Sequence, residues 1–179
     1  MRSTIRRLLL PVLALILGAC RADPAADAAP VTTSGAATPP PAKAAAVAGE
    51  TWNAAQIDWQ PYEAGLARAK AENKPVCLIF YTSWCPHCKT YSKIFDDPKV
   101  VARSRNFVMI HLNADDEGEL ARRFAKDGTY IPRTFFLASD GTPDYGIHAP
   151  REKFAYFYDE RNPAAILAGM DEAERKLRN

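Results

Sequence analysis

The chain has 179 residues, which is enough for one ordinary domain with appendages. Its 23 basic and 21 acidic residues give a formal net charge of +2, and three of the basic residues, Arg2, Arg6 and Arg7, lie near the N-terminus. The rest of the chain is close to neutral, so the composition gives no argument for nucleic-acid binding.

The N-terminal segment has the features of an export signal. Basic residues precede an apolar run, Leu8 to Leu17, that is too short for a stable membrane span. The run ends in Leu17-Gly18-Ala19-Cys20, which resembles a bacterial lipoprotein box, where the cysteine becomes the lipid-bearing first residue of the mature chain. We therefore predict a lipoprotein signal peptide over residues 1–20 with a lipidated Cys20, and a periplasmic protein anchored to a bacterial membrane. The alternative is ordinary signal-peptide cleavage near Ala19, without lipidation. The residue after Cys20 is Arg21 and not the Asp associated with retention in the inner membrane, which favours the outer membrane.

Residues 21–50 are rich in Ala, Pro, Thr and Ser and carry almost no large apolar side chains. Such a segment cannot bury enough surface to fold, so we predict a disordered tether. The folded domain is predicted over residues 51–179.

Apolar periodicity and the positions of Pro, Gly and Asn predict the elements of this domain. In order they are a short strand or packing arm around Trp52, Ile57 and Trp59, a helix over 62–73, a strand over 76–81, helices over 86–95 and 98–104, a strand over 107–112, a helix over 117–126 capped by Asp115, a strand over 134–138, a hairpin strand over 145–148, and a helix from Pro163 to Leu177. Strands alternate with helices first and a hairpin comes last. This order predicts an α/β fold with a central mixed β-sheet flanked by helices on both faces.

The segment Cys85-Pro86-His87-Cys88 lies where the strand over 76–81 gives way to a helix. Pro86 suits the first helical turn, and the unsatisfied N–H groups and positive dipole end of that turn favour an anion at Cys85. Cys88 follows one turn later, close enough to form a disulfide with Cys85. This spacing after a strand predicts a redox-active pair, with no cofactor other than the Cys85–Cys88 disulfide itself.

Paired cysteines also occur in haem, zinc and copper sites and in inert structural disulfides. A c-type haem site needs a His where Lys89 stands, and a structural zinc site needs a second ligand pair, so no metal is assigned. An inert structural disulfide, Cu(I) handling through Cys85, His87 and Cys88, and a client-binding module without turnover stay open as alternatives. Cys77 lies inside the buried strand and is predicted to be a small core residue.

Two segments together, Trp84-Cys85-Pro86-His87-Cys88 and Tyr130-Ile131-Pro132-Arg133-Thr134, resemble the thioredoxin fold. In that fold a cis-proline loop faces the active cysteines, so the resemblance implies a cis bond before Pro132. The chain also resembles the anterior gradient family of thioredoxin-like proteins from the endoplasmic reticulum. The matching segments are Phe107-Val108-Met109-Ile110, Asp127-Gly128-Thr129-Tyr130-Ile131-Pro132-Arg133, Phe136-Leu137, Asp140-Gly141 and Gly169-Met170-Asp171-Glu172-Ala173. The resemblance implies disulfide exchange on client proteins.

The two cysteines receive different roles. Cys85 precedes the helix and is predicted to be the nucleophile, and Cys88 is predicted to resolve the mixed disulfide. Pro86 and His87 are predicted to tune the pair, because a protonated imidazole stabilises a nearby thiolate. The Pro-His dipeptide between the cysteines resembles that of periplasmic disulfide oxidases, while the direction of exchange, oxidation, isomerisation or reduction, stays open.

Three further residues, Trp84, Ile131 and Pro132, are predicted to line the groove for the client, and Ile131 is expected to offer its backbone to a client strand. The predicted partners are client proteins with thiols or disulfides, and a membrane redox partner. The first cysteine of such a pair is exposed in related proteins, which implies an exposed sulfur at Cys85.

The resemblance to thioredoxin also reveals a departure from it. Ile79 stands six residues before Cys85, where thioredoxin has a buried acid. His111 falls near the position of a buried lysine in thioredoxin. His111 could act as a proton-transfer group or be a buried structural histidine, and the sequence leaves both alternatives open.

Overall fold

The computed structural model describes residues 52–178. In chain order their elements are β1 (Trp59–Gln60), α1 (Tyr62–Glu72), β2 (Val76–Tyr81), α2 (Pro86–Ser92), a 3-10 turn (Lys93–Asp96), α3 (Pro98–Ser104), β3 (Val108–Asn113), α4 (Gly118–Arg123), β4 (Arg133–Leu137) and α5 (Ala164–Leu177). The predicted signal peptide with Cys20 and the predicted tether lie outside the described residues. Among residues 52–178, no helix combines the length and apolar character needed to cross a bilayer.

The four strands form one sheet in the order β1-β3-β2-β4. Strands β1 and β2 both run parallel to β3, whereas β4 runs antiparallel to β2. The mixed sheet predicted from the sequence is therefore confirmed. Strand β2, which leads into the cysteine motif, is paired on both of its edges.

Side chains of β2 alternate between two apolar clusters, one on each face of the sheet. Leu78 and Phe80 belong to the cluster that also contains Ala69 of α1 and Leu120 of α4. Cys77 and Ile79 belong to the opposite cluster, which contains both active-site cysteines and side chains of α2, α3 and α5. A strand covered on both faces requires a continuous apolar run, which is what β2 supplies. Helices therefore cover both faces, as predicted.

Cys77 is completely buried on the face of the sheet that carries the cysteine motif. Burial raises the pKa of its thiol far above the ordinary range, because a thiolate there would lose its hydration. Cys77 is thus held as a neutral thiol, and its prediction as a core residue is confirmed.

The N-terminal arm combines the two predicted alternatives. Trp59 lies in β1, which pairs with only two residues of β3. Trp52 and Ile57 lie in the turns that precede β1, and both are almost fully buried. The arm therefore contributes a very short edge strand and two core side chains.

The predicted helix over 117–126 is too long, and its predicted cap is wrong. The helix α4 begins at Gly118, with Glu117 at the N-cap position, and ends at Arg123. The carboxylate of Asp115 instead accepts a hydrogen bond from the indole N–H of Trp84, at 2.8 Å. The guanidinium of Arg133 donates to the carbonyls of Ala121 and Phe124 where the helix ends, so these carbonyls are satisfied without further helical turns.

The predicted hairpin strand over 145–148 is also wrong. Its place is taken by an isolated bridge between Leu137 and Pro143. Beyond that bridge the backbone satisfies its donors locally, because Gly146 N donates to Asp144 Oδ1 at 2.8 Å and Ile147 N donates to Asp144 O at 3.2 Å. This Asx turn competes with strand pairing, as short polar side chains do.

His111 lies on β3 among aromatic rings. Its ring stacks on Tyr81 with centroids 5.2 Å apart, and lies 4.5 Å from the Trp59 ring and 5.7 Å from the Trp52 ring. Its Nδ1 is buried without a hydrogen-bond partner among residues 52–178. Burial lowers the pKa of His111 to about 4, so the imidazole is neutral in the folded protein near neutral pH.

This neutral histidine predicts an acid-sensitive stability. The unfolded chain binds a proton at His111 near pH 6.5, whereas the folded protein does so only near pH 4. The contribution of His111 to the free energy of unfolding is therefore fully present above pH 6.5. It falls by roughly 3 kcal/mol as the pH drops from 6.5 towards 4. Urea unfolding at a series of pH values measures it.

The control for this prediction is His111→Met, which fills the aromatic site without a titrating group. Its free energy of unfolding should change less than that of the wild-type protein between pH 6.5 and pH 4. Equal slopes in the two proteins would show that His111 is not held neutral by the fold.

Candidate active site

The cysteine motif lies at the junction between β2 and α2. Cys85 is the N-cap residue of α2, with extended backbone angles, and Pro86 occupies the first turn. The backbone N–H of Cys88 donates to the Sγ of Cys85 at 3.3 Å. The Cys85 sulfur therefore accepts a backbone hydrogen bond at the N-terminus of α2.

Both cysteines are thiols in this structure, and both are covered. Cys88 is 0% exposed and Cys85 is 4% exposed. The expectation of an exposed Cys85 is therefore wrong for the resting protein, although Cys85 remains the more accessible of the two. Its sulfur is covered because it rests against the loop before β4, where Cys85 Sγ lies 3.9 Å from the carbonyl oxygen of Ile131.

That loop contains the predicted proline. The bond between Ile131 and Pro132 is cis, as the sequence resemblance implies, and β4 begins at the next residue. The Ile131 carbonyl faces Cys85 directly, so the backbone of this loop and the nucleophilic sulfur share one edge of the site. The structure thus brings Cys85, Ile131 and Pro132 together.

Arg133, the first residue of β4, anchors this loop from the inside. Its side chain is 1% exposed. One guanidinium nitrogen donates to the carbonyls of Phe124 and Gly128, at 3.1 and 3.0 Å, and the other donates to the carbonyl of Ala121 at 3.0 Å. Its charge also lies over the ring of Phe80, 5.3 Å from the centroid. The carbonyls left free where α4 ends are therefore satisfied by Arg133.

His87 lies between the cysteines in sequence, but its ring is held by a different part of the chain. Its Nδ1 lies 2.8 Å from Oε2 of Glu160. The imidazole also meets the ring of Phe157 edge-on, with centroids 5.7 Å apart. The side chain is 61% exposed, whereas that of Glu160 is 13% exposed. Glu160 is thus a component of the site that sequence reasoning missed, since 73 residues separate it from His87.

Trp84 is the most exposed large apolar side chain in the described part of the chain, at 66%. It is nevertheless fixed in place, because its indole N–H donates to Asp115 Oδ2 at 2.8 Å. An exposed ring held by its polar edge presents its apolar face next to Cys85, which suits the predicted groove role of Trp84.

The interior near Cys88 contains hydroxyl groups in place of an acid. Ile79, which stands where thioredoxin has a buried acid, is fully buried, and it pairs with Thr134 of β4. The hydroxyls of Thr134 and Tyr91 are 2.9 Å apart, and burial raises the pKa of Tyr91 well above its usual value. No Asp or Glu is buried anywhere in residues 52–178.

No three His, Cys, Asp or Glu side chains in residues 52–178 are grouped so that they could share one ion. In the Cu(I) alternative the ligands are Cys85, His87 and Cys88, and His87 is paired with Glu160 instead.

Comparison with known proteins agrees with this architecture. Residues 58–139 match the family model of thioredoxin-like domains. The human anterior gradient protein 2 homologue is 28% identical over 125 residues, which cover 69% of this chain and 70% of that protein. Anterior gradient protein 2 of Xenopus laevis is 28% identical over 179 residues, covering 94% of each chain. The solution structure of a thioredoxin from Thermus thermophilus superimposes with a TM-score of 0.50 at 26% identity, covering 65% of this chain and 86% of that one.

Residues 52–178 therefore have the thioredoxin fold, and the predicted fold is confirmed. The fold and the relatives support thiol–disulfide exchange in general terms.

The loop anchor gives a testable expectation. Arg133→Met keeps the apolar stem but leaves three buried carbonyls without their donors, so it should lower the free energy of unfolding by about 2–5 kcal/mol. Chemical denaturation of the reduced protein measures this loss.

Arg68→Met is the matched control, because Arg68 pairs with Asp58 and Glu72 at 2.7 Å on the surface. Such exposed ion pairs contribute less than about 1 kcal/mol. An equally small loss at Arg133 would contradict its role as the anchor of the loop.

Proposed function

We propose that this protein is a periplasmic thiol–disulfide oxidoreductase that exchanges disulfides with client proteins through Cys85 and Cys88. The observation that carries the proposal is the position of the Cys85 sulfur. It lies 3.3 Å from the Cys88 backbone nitrogen and 3.9 Å from the Ile131 carbonyl oxygen. In the proposed mechanism this sulfur is the nucleophile, with a backbone N–H donor on one side and, on the other, a backbone edge on which an extended client aligns.

The first step is attack on a client disulfide. The Cys85 thiolate bonds to one client sulfur, the client S–S bond breaks, and the second client sulfur leaves as a thiolate. The developing charge on Cys85 in the reverse step is stabilised by the Cys88 N–H and the start of α2. The product is a mixed disulfide between Cys85 and the client.

The second step releases the client. The Cys88 thiol loses its proton and attacks the Cys85 sulfur, which forms the Cys85–Cys88 disulfide and expels the remaining client sulfur. Since no carboxylate is buried in residues 52–178, the departing client thiolate is the proton acceptor in this scheme. The client gains two electrons from the enzyme and two protons in all, one from the Cys88 thiol and one from solvent, which took up the Cys85 proton when its thiolate formed. The same steps in reverse donate a disulfide.

Direction depends on the relative stability of the dithiol and the disulfide. A protonated His87 favours the thiolate form and therefore the oxidising direction. The contact between His87 Nδ1 and Glu160 Oε2 fixes the position of the imidazole.

The proposed location rests on the first 50 residues. The apolar run over 8–17, the Leu17-Gly18-Ala19-Cys20 sequence and the Ala/Pro-rich segment support a lipid-anchored domain on a tether, with a membrane redox partner within its reach. The outer membrane is the favoured site.

Trapping of a mixed disulfide tests the exchange mechanism. Cys88→Ser should accumulate a covalent adduct with a disulfide-containing peptide, because the resolving thiol is gone. Cys85→Ser should form no such adduct, and both variants should lose turnover. Non-reducing electrophoresis and intact mass spectrometry detect the adduct.

Cys77→Ala is the matched control, since this cysteine is a buried core thiol, and it should turn over like the wild-type protein. If Cys85→Ser accumulated the adduct and Cys88→Ser did not, Cys88 would be the nucleophile and Cys85 the resolving cysteine. No trapping by either variant would leave client binding without turnover, or Cu(I) handling, as the function.

A second expectation concerns His87. His87→Ala removes an imidazole whose protonated form favours the thiolate, so the reduction potential of the pair should become more negative, by on the order of 10–20 mV for such an exposed interaction. Equilibration in glutathione buffers at pH 6 measures the shift.

Lys70→Ala removes a positive charge from α1, on the opposite face of the sheet, and should leave the potential unchanged. A shift of the same size in both variants would mean that net charge rather than His87 sets the potential.

A further inference from the structure

Two large apolar side chains are exposed in the described part of the chain, Trp84 at 66% and Phe154 at 50%. Trp84 is predicted to line the groove next to the cysteines, whereas Phe154 has no role in the proposed mechanism. Phe154 has a φ of 56°, in the left-handed region that bulky side chains rarely adopt. The fold thus keeps an aromatic residue in an unfavourable backbone conformation while leaving half of it in water. Such outliers persist where the surroundings impose them, and they cluster at ligand-binding sites.

The surroundings that impose this conformation are specific hydrogen bonds. The carboxylate of Asp127 accepts from the hydroxyl of Tyr130 at 2.7 Å and from the backbone N–H of Ala155 at 2.7 Å. The same Tyr130 hydroxyl accepts from the backbone N–H of Tyr156 at 3.0 Å. The chain on the C-terminal side of Phe154 is therefore tied to the segment that leads into Pro132.

This tie brings the ring of Phe154 onto the ring of Tyr130. Their centroids are 4.9 Å apart and the planes meet at 74°, an edge-to-face contact. Tyr130 immediately precedes Ile131, whose carbonyl lies 3.9 Å from Cys85 Sγ. Phe154 thus contacts the residue that directly precedes the one whose carbonyl lies against Cys85.

We propose that Phe154, supported by Tyr130, forms an apolar subsite that receives a large apolar side chain near the reacting cysteine of an extended client segment. The proposal rests on the proposed function and names its substrate class, incompletely folded polypeptides with apolar residues close to a cysteine. Folded proteins bury most such side chains, so this subsite selects for chains that have not finished folding.

A polypeptide client fits this patch better than a second copy of the chain. The patch consists of two aromatic rings that continue the edge formed by the Ile131 backbone. A stable dimer buries about 1,200–2,000 Å² in total, much more than two partly exposed rings supply.

Equilibrium binding of two peptides to the wild-type protein tests the subsite apart from catalysis. Both peptides carry Ser in place of Cys, and they differ in whether Phe or Ser stands two residues away. The Phe peptide should bind roughly tenfold more tightly. Phe154→Asn should remove this preference, and it should not lower stability, because Asn tolerates the left-handed backbone. Phe154→Leu should keep most of the preference, because it keeps an apolar side chain.

Lys153→Ala, an exposed neighbour in the same loop, is the matched control and should bind both peptides like the wild-type protein. Equal binding of the two peptides to the wild-type protein, or an unchanged preference in Phe154→Asn, would overturn the proposal. So would a dimer that Phe154→Asn converts to monomer. Because binding needs no exchange, a protein that binds selectively but never exchanges disulfides would refute the proposed function and leave the subsite intact.

Discussion

The architecture of the site depends on two contacts between the Cys85 sulfur and the backbone. Cys85 Sγ accepts the Cys88 N–H at the start of α2 and rests against the carbonyl of Ile131. The first contact requires that β2 deliver the chain to a helix N-terminus. The second requires that the loop before β4 return to the same edge of the sheet. An antiparallel β4 beside β2 provides that return, so the position of the sulfur follows from the sheet order.

The loop that meets Cys85 is held by interactions on both of its sides. On the inner side, the buried guanidinium of Arg133 binds the carbonyls where α4 ends. On the outer side, Asp127 and Tyr130 tie the loop to the segment around Ala155. Hydrogen bonds to a buried charged group are stronger than neutral ones, so Arg133 fixes the loop more firmly than a surface contact would. The loop that meets Cys85 is therefore held by hydrogen bonds on both of its sides.

Local patterns in the sequence were enough to predict β2, the start of α2 and the cysteine pair, because an apolar run, a proline at a helix start and a fixed cysteine spacing are short-range signals. The same reasoning failed where long-range contacts decide. Asp115 looked like a helix cap but binds Trp84, 31 residues away. Glu160 gave no signal, because its partnership with His87 exists only in three dimensions. The burial of Cys85 was missed for the same reason, since the loop that covers it is distant in sequence.

In the proposed mechanism Cys85 and Cys88 form a reversible two-electron couple. Incubating the protein in glutathione buffers and quantifying free thiols by acid quenching and alkylation tests this directly. Both thiols should be lost together, in one transition, between about −120 and −270 mV, the span of known thioredoxin-fold couples. The transition should be absent in Cys85→Ser and Cys88→Ser. A wild-type protein whose two thiols stay reduced across that whole range, or that only accumulates one glutathione per chain, would contradict the claim.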